Sequence, residues 1–325
     1  MVNSHENNVK VSVLVMAYNH GAYIEQALES VLAQKTAFDF EIIISEDCST
    51  DRTRDIVLDY DKRFPGRFRL LLSAANLKSN EIVARGIRAA RGDYIALLDG
   101  DDHWTSPGKL QRQADFLDCR PRCAICFHNA VVVYQDASRE PYLWTAATQK
   151  EESTLEDIWA GNFIATASVM FRNHLIGHIP EWYIPMFPIT DWPLHILNAE
   201  HGTIGYINEV MSVYRQHAGG LYSPKSEADK QAATKLFYRV MNANLEYRYD
   251  AIIRNACSKY FLEWAEEYIS RGDMRRARAC LLTSLLTGGV RDRAAIVRII
   301  KRGLLTYKSF VTPYFRRAFD KLRRR

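Results

Sequence analysis

The chain has 325 residues, of which 47% are apolar, so it can bury a full core and is long enough for one large domain or one and a half. No stretch approaches the roughly 18 uninterrupted apolar residues of a membrane span, and the polar start lacks the apolar core of a signal peptide. We therefore expect a cytoplasmic protein. The formal net charge is only +5, and we expect no nucleic-acid partner.

Strands and helices are predicted to alternate over the first part of the chain. Short β-branched runs are typical of strands buried in a parallel sheet, and apolar residues at helical spacing mark the helices between them. The predicted elements are, in chain order, a strand over 11–16, a helix over 24–32, a strand over 40–45, a helix that carries 56–60, a strand over 67–73, a helix over 80–90, a strand over 93–98 and a helix opened by Ser106-Pro107. This alternation predicts an α/β fold with a mostly parallel sheet covered by helices on both faces, where ligands bind at the carboxyl ends of the strands.

The middle of the chain is less regular. Thr154 to Asp157 have the pattern of a capped helix, residues 165–171 are predicted as a strand, and residues 190–200 as a helix closed by Gly202.

From Ser226 onward the pattern is helical, with a helical hairpin expected over 261–286. The sequence therefore predicts a first domain over residues 1–225 and a C-terminal helical appendage over 226–325. The basic end, Arg316 to Arg325, is either a solvated helix end or a surface for peripheral contact with anionic headgroups.

The six cysteines have no spacing suited to a disulfide framework and are expected to be reduced. Cys123 and Cys126, followed by His128, invite a zinc or redox interpretation. They lie in what looks like a buried strand, and there is no second CxxC, so core packing is predicted instead.

An acidic run, Asp99-Gly100-Asp101-Asp102, directly follows a predicted strand. Mg²⁺ and Mn²⁺ are usually held by one or two protein carboxylates while substrate phosphates complete the shell, so the run is suited to a metal that holds a nucleotide. Asp-Gly is also a common turn dipeptide, and by itself the run fits a turn equally well.

Five segments of the chain then settle the interpretation by their order and spacing: VSVLVMAYNHGAYIEQALESVLAQ, EIIISEDCSTDRTRDIV, ARGIRAARGDYIALLDGDD, TDWPL and YRQH. Together, over residues 9–223, they resemble family 2 of the inverting nucleotide-sugar glycosyltransferases, which have the Rossmann-like GT-A fold. The resemblance implies a sugar donor on a nucleoside diphosphate, a divalent cofactor (Mn²⁺ or Mg²⁺) and a direct displacement that inverts the anomeric carbon.

The resemblance assigns the nucleotide end of the site. It implies that Ala17, Tyr18 and Asn19 border the base and that Asp47 accepts from the base ring, as a uracil imide would require. Asp47 also suits the N-terminal end of a helix dipole. Arg85 corresponds to a basic residue that often faces the nucleotide, although a surface arginine is an equal alternative. The chain departs from the family pattern at Glu46 and at Cys48, where glycine is common.

The same resemblance assigns the metal. It implies that Asp101 ligates the ion directly, that Asp99 contacts the ribose or a metal-bound water, and that Asp102 supports these ligands. Gly100, between them, is assigned to binding of the nucleotide sugar. His217 corresponds to a family histidine that approaches the diphosphate or metal, and imidazole is a legitimate ligand for Mn²⁺. A lone histidine that is merely hydrogen-bonded is the alternative.

Asp191 corresponds to the family's catalytic base, which takes the proton of the attacking acceptor hydroxyl. Its alternative is a helix cap before Trp192-Pro193. Trp192 offers an apolar face to a sugar ring.

Two rival functions are a sugar nucleotidyltransferase and a catalytically silent nucleotide-sugar-binding protein. The first would need a glycine-rich basic phosphate loop, which MAYNHGAY is not. The acceptor is expected to be a glycan, or a lipid-linked molecule on the inner membrane face, in cell-surface polysaccharide assembly. Acceptor specificity is expected to lie in residues 135–189 or in the helical appendage.

Overall fold

A computed structural model describes residues 9–220 and 226–287 of the chain. Its strands are, in chain order, β1 (Val11–Ala17), β2 (Phe40–Glu46), β3 (Phe68–Leu72), β4 (Tyr94–Asp99), β5 (His103–Trp104), β6 (Cys123–Tyr134), β7 (Tyr142–Leu143), β8 (Glu152–Ser153), β9 (Val169–Arg172) and β10 (Thr203–Gln216). Its α-helices are α1 (Ile24–Leu32), α2 (Thr53–Arg63), α3 (Glu81–Ala89), α4 (Lys109–Asp118), α5 (Leu155–Ala160), α6 (Asp191–Ala199), α7 (Glu227–Asn244), α8 (Asp250–Ser270) and α9 (Met274–Thr287).

The strands form one mixed sheet in the order β3-β2-β1-β4-β9-β6-β10-β5, with β7 beside β6 and β8 beside β10. Neighbours among β3, β2, β1 and β4 are parallel, as are β6 and β10. The strand β9 runs antiparallel to both β4 and β6, so these two strands run in the same direction. The mostly parallel sheet predicted from the sequence is therefore confirmed.

The first strands match the predicted strands to within one residue at either end. Every residue of β1 is buried, as the β-branched run predicts. The helix α1 buries Ile24, Ala27, Leu28 and Val31, the single stripe that faces the sheet.

Two expectations for the middle of the chain fared differently. The capped helix is confirmed, because the Thr154 backbone N–H donates to Asp157 Oδ2 at 2.9 Å within a capping box at the start of α5. The strand predicted over 165–171 is wrong in its first half, where Thr166–Ser168 form a 3-10 turn. The reason is local, since the hydroxyl and the N–H of Ser168 both donate to Ala165 O, at 2.7 and 2.9 Å.

Cys123 and Cys126 are buried, unbridged thiols on β6, as predicted. Burial raises the pKa of the Cys126 thiol, so this cysteine is protonated and packs as a core residue.

The contacts divide the chain into two units, Met1–Asn244 and Leu245–Arg325. The first unit includes α7, beyond residue 225, because Phe237 stacks on Trp192 and Tyr238 donates to Trp159 O at 3.1 Å.

The second unit, as far as it is described, pairs α8 with α9 around a turn at Gly272, where φ is +76°. This confirms helices over the predicted hairpin. The basic end, Arg316 to Arg325, lies outside the described residues. Among the described helices, none combines the length and apolarity needed to cross a bilayer.

Candidate active site

The functional side chains collect at one edge of the sheet because of strand direction. The carboxyl ends of β1, β2, β4, β6 and β10 meet there. Since β9 is antiparallel, the turn that precedes it, Thr166–Ser168, reaches the same edge. Residues that are far apart in the sequence, such as Asp99 and His217, therefore meet at this edge.

The acidic run after β4 forms a tight turn. The Gly100 N–H donates to Met16 O at 2.8 Å, and the Asp102 N–H donates to Asp99 O at 3.0 Å. A Cβ on Gly100 would lie 2.7 Å from Ile24 Cδ1 and 2.8 Å from His20 Nδ1. Only glycine therefore lets the turn lie this close to the loop after β1.

Asp101 lies between two imidazoles. His217 Nε2 is 3.0 Å and His20 Nε2 is 3.5 Å from the same oxygen, Asp101 Oδ2. Burial by itself would raise the pKa of Asp101, but His20 and the hydrogen bond to His217 outweigh it, and the pKa is lowered. Asp101 is therefore a carboxylate, and the geometry brings it into contact with His217, the other residue for which a metal role was considered. His20 was not among the predicted site residues.

Asp102 faces inward and is held by Arg215. The Arg215 backbone N–H donates to Asp102 Oδ1 at 2.7 Å, and its guanidinium donates to Asp101 O at 2.6 Å and to Gln26 Oε1 at 2.7 Å. The guanidinium also lies 4.7 Å from the ring centre of Tyr23. Burial, and then the charges of Asp101 and Asp99, raise the pKa of Asp102 well above its usual range. Sequence reasoning missed Arg215, whose one signal is its place two residues before His217 in YRQH.

Asp191 lies on the same side of the site as the acidic run. Its Oδ2 accepts from Asn162 Nδ2 at 2.9 Å and lies 3.5 Å from Thr166 Oγ1, and that hydroxyl also hydrogen-bonds with Asp99. Burial, and then the charges of Asp101 and Asp191, raise the pKa of Asp99 well above its usual range. Asp99 therefore lies close enough to both Asp101 and Asp191 for their charges to act on it.

Asp191 is the first residue of α6, and its Oδ1 accepts from the Trp192 N–H at 2.7 Å. Asp191 therefore begins a helix and also lies near Asp99, so the two roles expected for Asp191 are compatible. Asn162 and Thr166, the two residues that orient Asp191, were missed by sequence reasoning because no motif marks them.

The Trp192 indole packs between helices. It stacks on Phe237 with ring centres 4.3 Å apart, and its Nε1 donates to Ile158 O at 2.8 Å. One face of the indole is thus covered by α7.

The nucleotide end of the site is built by the loops after β1 and β2. The Asp47 N–H donates to Ala17 O at 2.9 Å, and Asn19, with φ of +55°, accepts from the Thr50 N–H at 2.8 Å. Tyr18 is half-buried between them. Cys48 also has a positive φ, +56°, which explains why glycine suits this position.

Asp47 and Arg85 lie side by side at this end. Asp47 Oδ1 accepts from Ser73 Oγ at 2.9 Å and from the Leu77 N–H at 3.0 Å. Arg85 donates to Ser73 Oγ at 2.8 Å and to Glu46 O at 3.0 Å. Burial lowers the pKa of Arg85, although neighbouring carboxylates oppose the shift. Arg85 therefore points into the strand ends and is not a solvated surface arginine.

The donor set at Asp101 fits a divalent ion that also binds phosphate. The charges of Asp101 and Asp191 raise the pKa of Asp99, and a nearby cation would oppose that shift and favour the ionised carboxylate. A carboxylate together with an imidazole suits Mn²⁺. Within residues 9–220 and 226–287, no group of three or more His, Cys, Asp or Glu side chains is arranged to hold a metal by itself. An ion here would therefore need oxygens from a bound phosphate, as nucleotide-site metals usually do.

Residues 12–177 match the family described as Glycosyl transferase family 2. An uncharacterized protein of Mycobacterium tuberculosis, Rv1520, is 34% identical over 284 residues, which is 85% of this chain and 79% of that protein. TuaG of Bacillus subtilis, a putative teichuronic acid biosynthesis glycosyltransferase, is 33% identical over 224 residues, or 68% of this chain and 84% of that protein.

Solved structures share the fold. S. aureus TarS 1–349 in complex with UDP-GlcNAc gives a TM-score of 0.62 at 19% identity, covering 92% of this chain and 90% of that chain. The mannosyltransferase PcManGT from Pyrobaculum calidifontis, in complex with GDP-Man and Mn²⁺, gives 0.55 at 16% identity, covering 93% and 81%. The expected GT-A fold is confirmed.

Proposed function

The chain belongs to glycosyl transferase family 2, and we propose that it transfers a sugar from a nucleoside-diphosphate sugar to a hydroxyl acceptor, with a divalent metal and with inversion at the anomeric carbon. One observation carries the proposal: Asp191 and Asp101, ninety residues apart in sequence, belong to one group of carboxylates through Asp99 and Thr166. A direct displacement needs a base for the acceptor hydroxyl and, at the same site, a carboxylate that can hold a metal for the departing diphosphate.

Asp191 is the proton acceptor in this proposal. Asn162 and the Trp192 N–H fix the orientation of both its oxygens, at 2.9 and 2.7 Å. A carboxylate held in this way can accept the proton of an acceptor hydroxyl as that oxygen attacks the sugar. The attack comes from the face opposite the departing nucleotide, so the anomeric configuration inverts.

Asp101, with Asp99 and His217, would hold the metal, Mn²⁺ or Mg²⁺. When bound, the ion supplies positive charge for the departing diphosphate. The role of the chain's own residues is to place one carboxylate for the ion and to keep Asp191 free for the acceptor. The Mn²⁺ in PcManGT supports a metal in this fold.

The donor is a nucleotide sugar, with UDP favoured. Ala17, Tyr18 and Asn19 would border the base, Asp47 would accept from it, and Arg85 would reach the nucleotide from α3. The UDP-GlcNAc complex of TarS supports this choice. Gly100 would let the diphosphate approach the backbone. Trp192 would contact the sugar through the part of its indole that α7 does not cover.

The acceptor is a glycan or a lipid-linked molecule in cell-surface polysaccharide assembly. The similarity to TuaG supports this class. The basic end, Arg316 to Arg325, would provide peripheral contact with the inner membrane face for a protein that acts in the cytoplasm.

The test is a panel of nucleotide sugars incubated with the purified protein and Mn²⁺, with and without EDTA. We expect metal-dependent release of the nucleoside diphosphate from one donor, and NMR of the product should show the inverted anomer. A silent binding protein would shift its melting temperature with a donor but release no diphosphate. A nucleotidyltransferase would instead release inorganic diphosphate from a nucleoside triphosphate and a sugar phosphate.

A further inference from the structure

His20 occupies the loop between β1 and α1, and its backbone secures that loop. Its N–H donates to Thr53 Oγ1 at 2.7 Å, and its carbonyl accepts from the N–H groups of Tyr23 and Ile24, both at 2.8 Å. These three contacts do not involve the imidazole. A substitution of the His20 side chain therefore leaves them in place.

The imidazole of His20 points at the acidic turn. Its Nε2 lies 3.5 Å from Asp101 Oδ2, the oxygen that His217 Nε2 contacts at 3.0 Å. The side chains of His20 and Asp101 are 15% and 16% exposed, so this contact is largely shielded from water. One carboxylate oxygen is thus contacted by two imidazoles, one from the loop after β1 and one from the end of β10.

Gly100 makes this approach possible. A Cβ at Gly100 would lie 2.8 Å from His20 Nδ1, closer than real contacts allow. Nδ1 itself is buried and has no hydrogen-bond partner among the described residues. The position of the ring is therefore set by van der Waals packing against the turn, and its polar contact is made through Nε2.

We propose that His20 is a positioning residue for the divalent cation: its imidazole fixes the Oδ2 side of Asp101 and so sets the orientation in which that carboxylate meets the ion. This inference rests on the proposed function, which gives Asp101 to the metal. Groups that hydrogen-bond a ligating carboxylate fix its direction, and their loss typically weakens metal binding about 10- to 100-fold.

The experiment measures Mn²⁺ binding with UDP present and without turnover, because an ion at this site needs phosphate oxygens as well as protein ligands. Purified protein at a fixed concentration of UDP is titrated with MnCl₂, and the EPR signal of free Mn²⁺, corrected by the same titration of UDP alone, gives the dissociation constant. We expect His20→Ala and His20→Asn to raise this constant about 10- to 100-fold, because Ala has no donor and Asn offers one only at the position of Nδ1. His20→Gln, whose amide nitrogen reaches the position of Nε2, should remain closest to the unaltered protein.

The matched control is His201→Gln, which changes an exposed histidine before the amino end of β10 and should leave the dissociation constant unchanged. Thermal melting of each variant, without metal, separates loss of fold from loss of the ion. A loss of Mn²⁺ affinity with an unchanged melting temperature supports the positioning role.

Asp101→Asn separates the two proposals. If Asp101→Asn loses Mn²⁺ and His20→Ala does not, the inference about His20 is overturned while the metal assignment stands. The metal part of the proposed function fails if Asp101→Asn binds Mn²⁺ with the same affinity as the unaltered protein, or if the unaltered protein binds no Mn²⁺. The inference about His20 then fails with it. Equal losses in His20→Ala and His20→Gln would also overturn the inference.

Discussion

His217 Nε2 lies 3.0 Å from Asp101 Oδ2, which joins the residue directly after β10 to the turn directly after β4. Two residues earlier, Arg215 ties the same strand to Asp102 and to the backbone of Asp101. The end of β10 therefore determines where the acidic turn lies, and substitutions at this end of β10 should displace the turn.

Arg215→Lys should destabilise the first unit and weaken Mn²⁺ binding. Lysine keeps the charge but cannot contact Asp101 O, Gln26 and Tyr23 together, because it lacks the planar fork of arginine. We expect a loss of about 1–3 kcal/mol in the free energy of unfolding, measured by urea denaturation. Arg63→Lys on the exposed face of α2 is the control, and equal stability of the two variants would contradict the prediction.

Gly100→Ala should weaken nucleotide binding, whereas Gly108→Ala should not. At Gly100 the new methyl meets Ile24 Cδ1 at 2.7 Å and the backbone oxygen of Met16 at 3.1 Å, so the turn must move. At Gly108 the nearest atom is 3.8 Å away, an ordinary contact. Nucleotide-induced thermal shift measures the difference, and a normal shift in Gly100→Ala would show that the turn does not need its close approach.

Cys48→Gly should raise the free energy of unfolding, whereas Cys119→Gly should lower it. Cys48 has φ of +56°, a left-handed conformation that costs most residues about 1 kcal/mol or more, so glycine relieves strain there. Cys119 has φ of −75° at the end of α4, where glycine only adds chain entropy to the unfolded state and costs about 0.5–1 kcal/mol. Urea denaturation of both variants tests this, and a larger loss at Cys48 than at Cys119 would refute it.

Lys109→Met should stabilise the protein at neutral pH. The Lys109 side chain is fully buried, and its Nζ lies 3.9 Å from the ring centre of Trp104 with no hydrogen-bond acceptor among the described residues. Burial lowers its pKa from 10.5 to about 7. Methionine fills similar volume without a buried ammonium, so we expect a gain of about 1–3 kcal/mol.

The pH dependence of this gain follows from the sign of the shift. Between pH 7 and 10.5 the unfolded chain binds a proton on Lys109 that the folded chain does not, so this lysine makes stability rise with pH across that window. The advantage of Lys109→Met should therefore shrink between pH 6.5 and pH 9. The exposed Lys35→Met is the control, and a gain that is constant with pH would contradict the assignment to Lys109.

The sequence was sufficient for the elements whose pattern is local. The buried β-branched run of β1, the stripe of α1 and the capping box at Thr154 each depend on neighbouring residues, and each is confirmed. The long strand β10 was not predicted, because the polar pair Asn208-Glu209 interrupts it and its register against β6 shifts between Ile207 and Val210.

The site was predictable only where a motif marks it. Asp101 and His217 stand in recognisable segments, and the structure brings them together. Three residues of the site were missed because their contacts join parts of the chain that are 25 or more residues apart: His20, Asn162 and Thr166. The antiparallel direction of β9 brings Thr166 to the site, and the missing side chain of Gly100 lets His20 approach the acidic turn. The packing of Trp192 against Phe237 could not be read from the sequence for the same reason.

The most direct test of the account compares Asp191→Asn with the unaltered protein, using the nucleotide sugar that the donor panel identifies. Asn keeps the size of the side chain but cannot take a proton, so we expect the turnover number to fall by about 10²- to 10⁴-fold, while the dissociation constants of nucleotide and Mn²⁺ change far less. Transfer at an undiminished rate, or a loss of nucleotide binding equal to the loss of turnover, would contradict the assignment of Asp191 as the base.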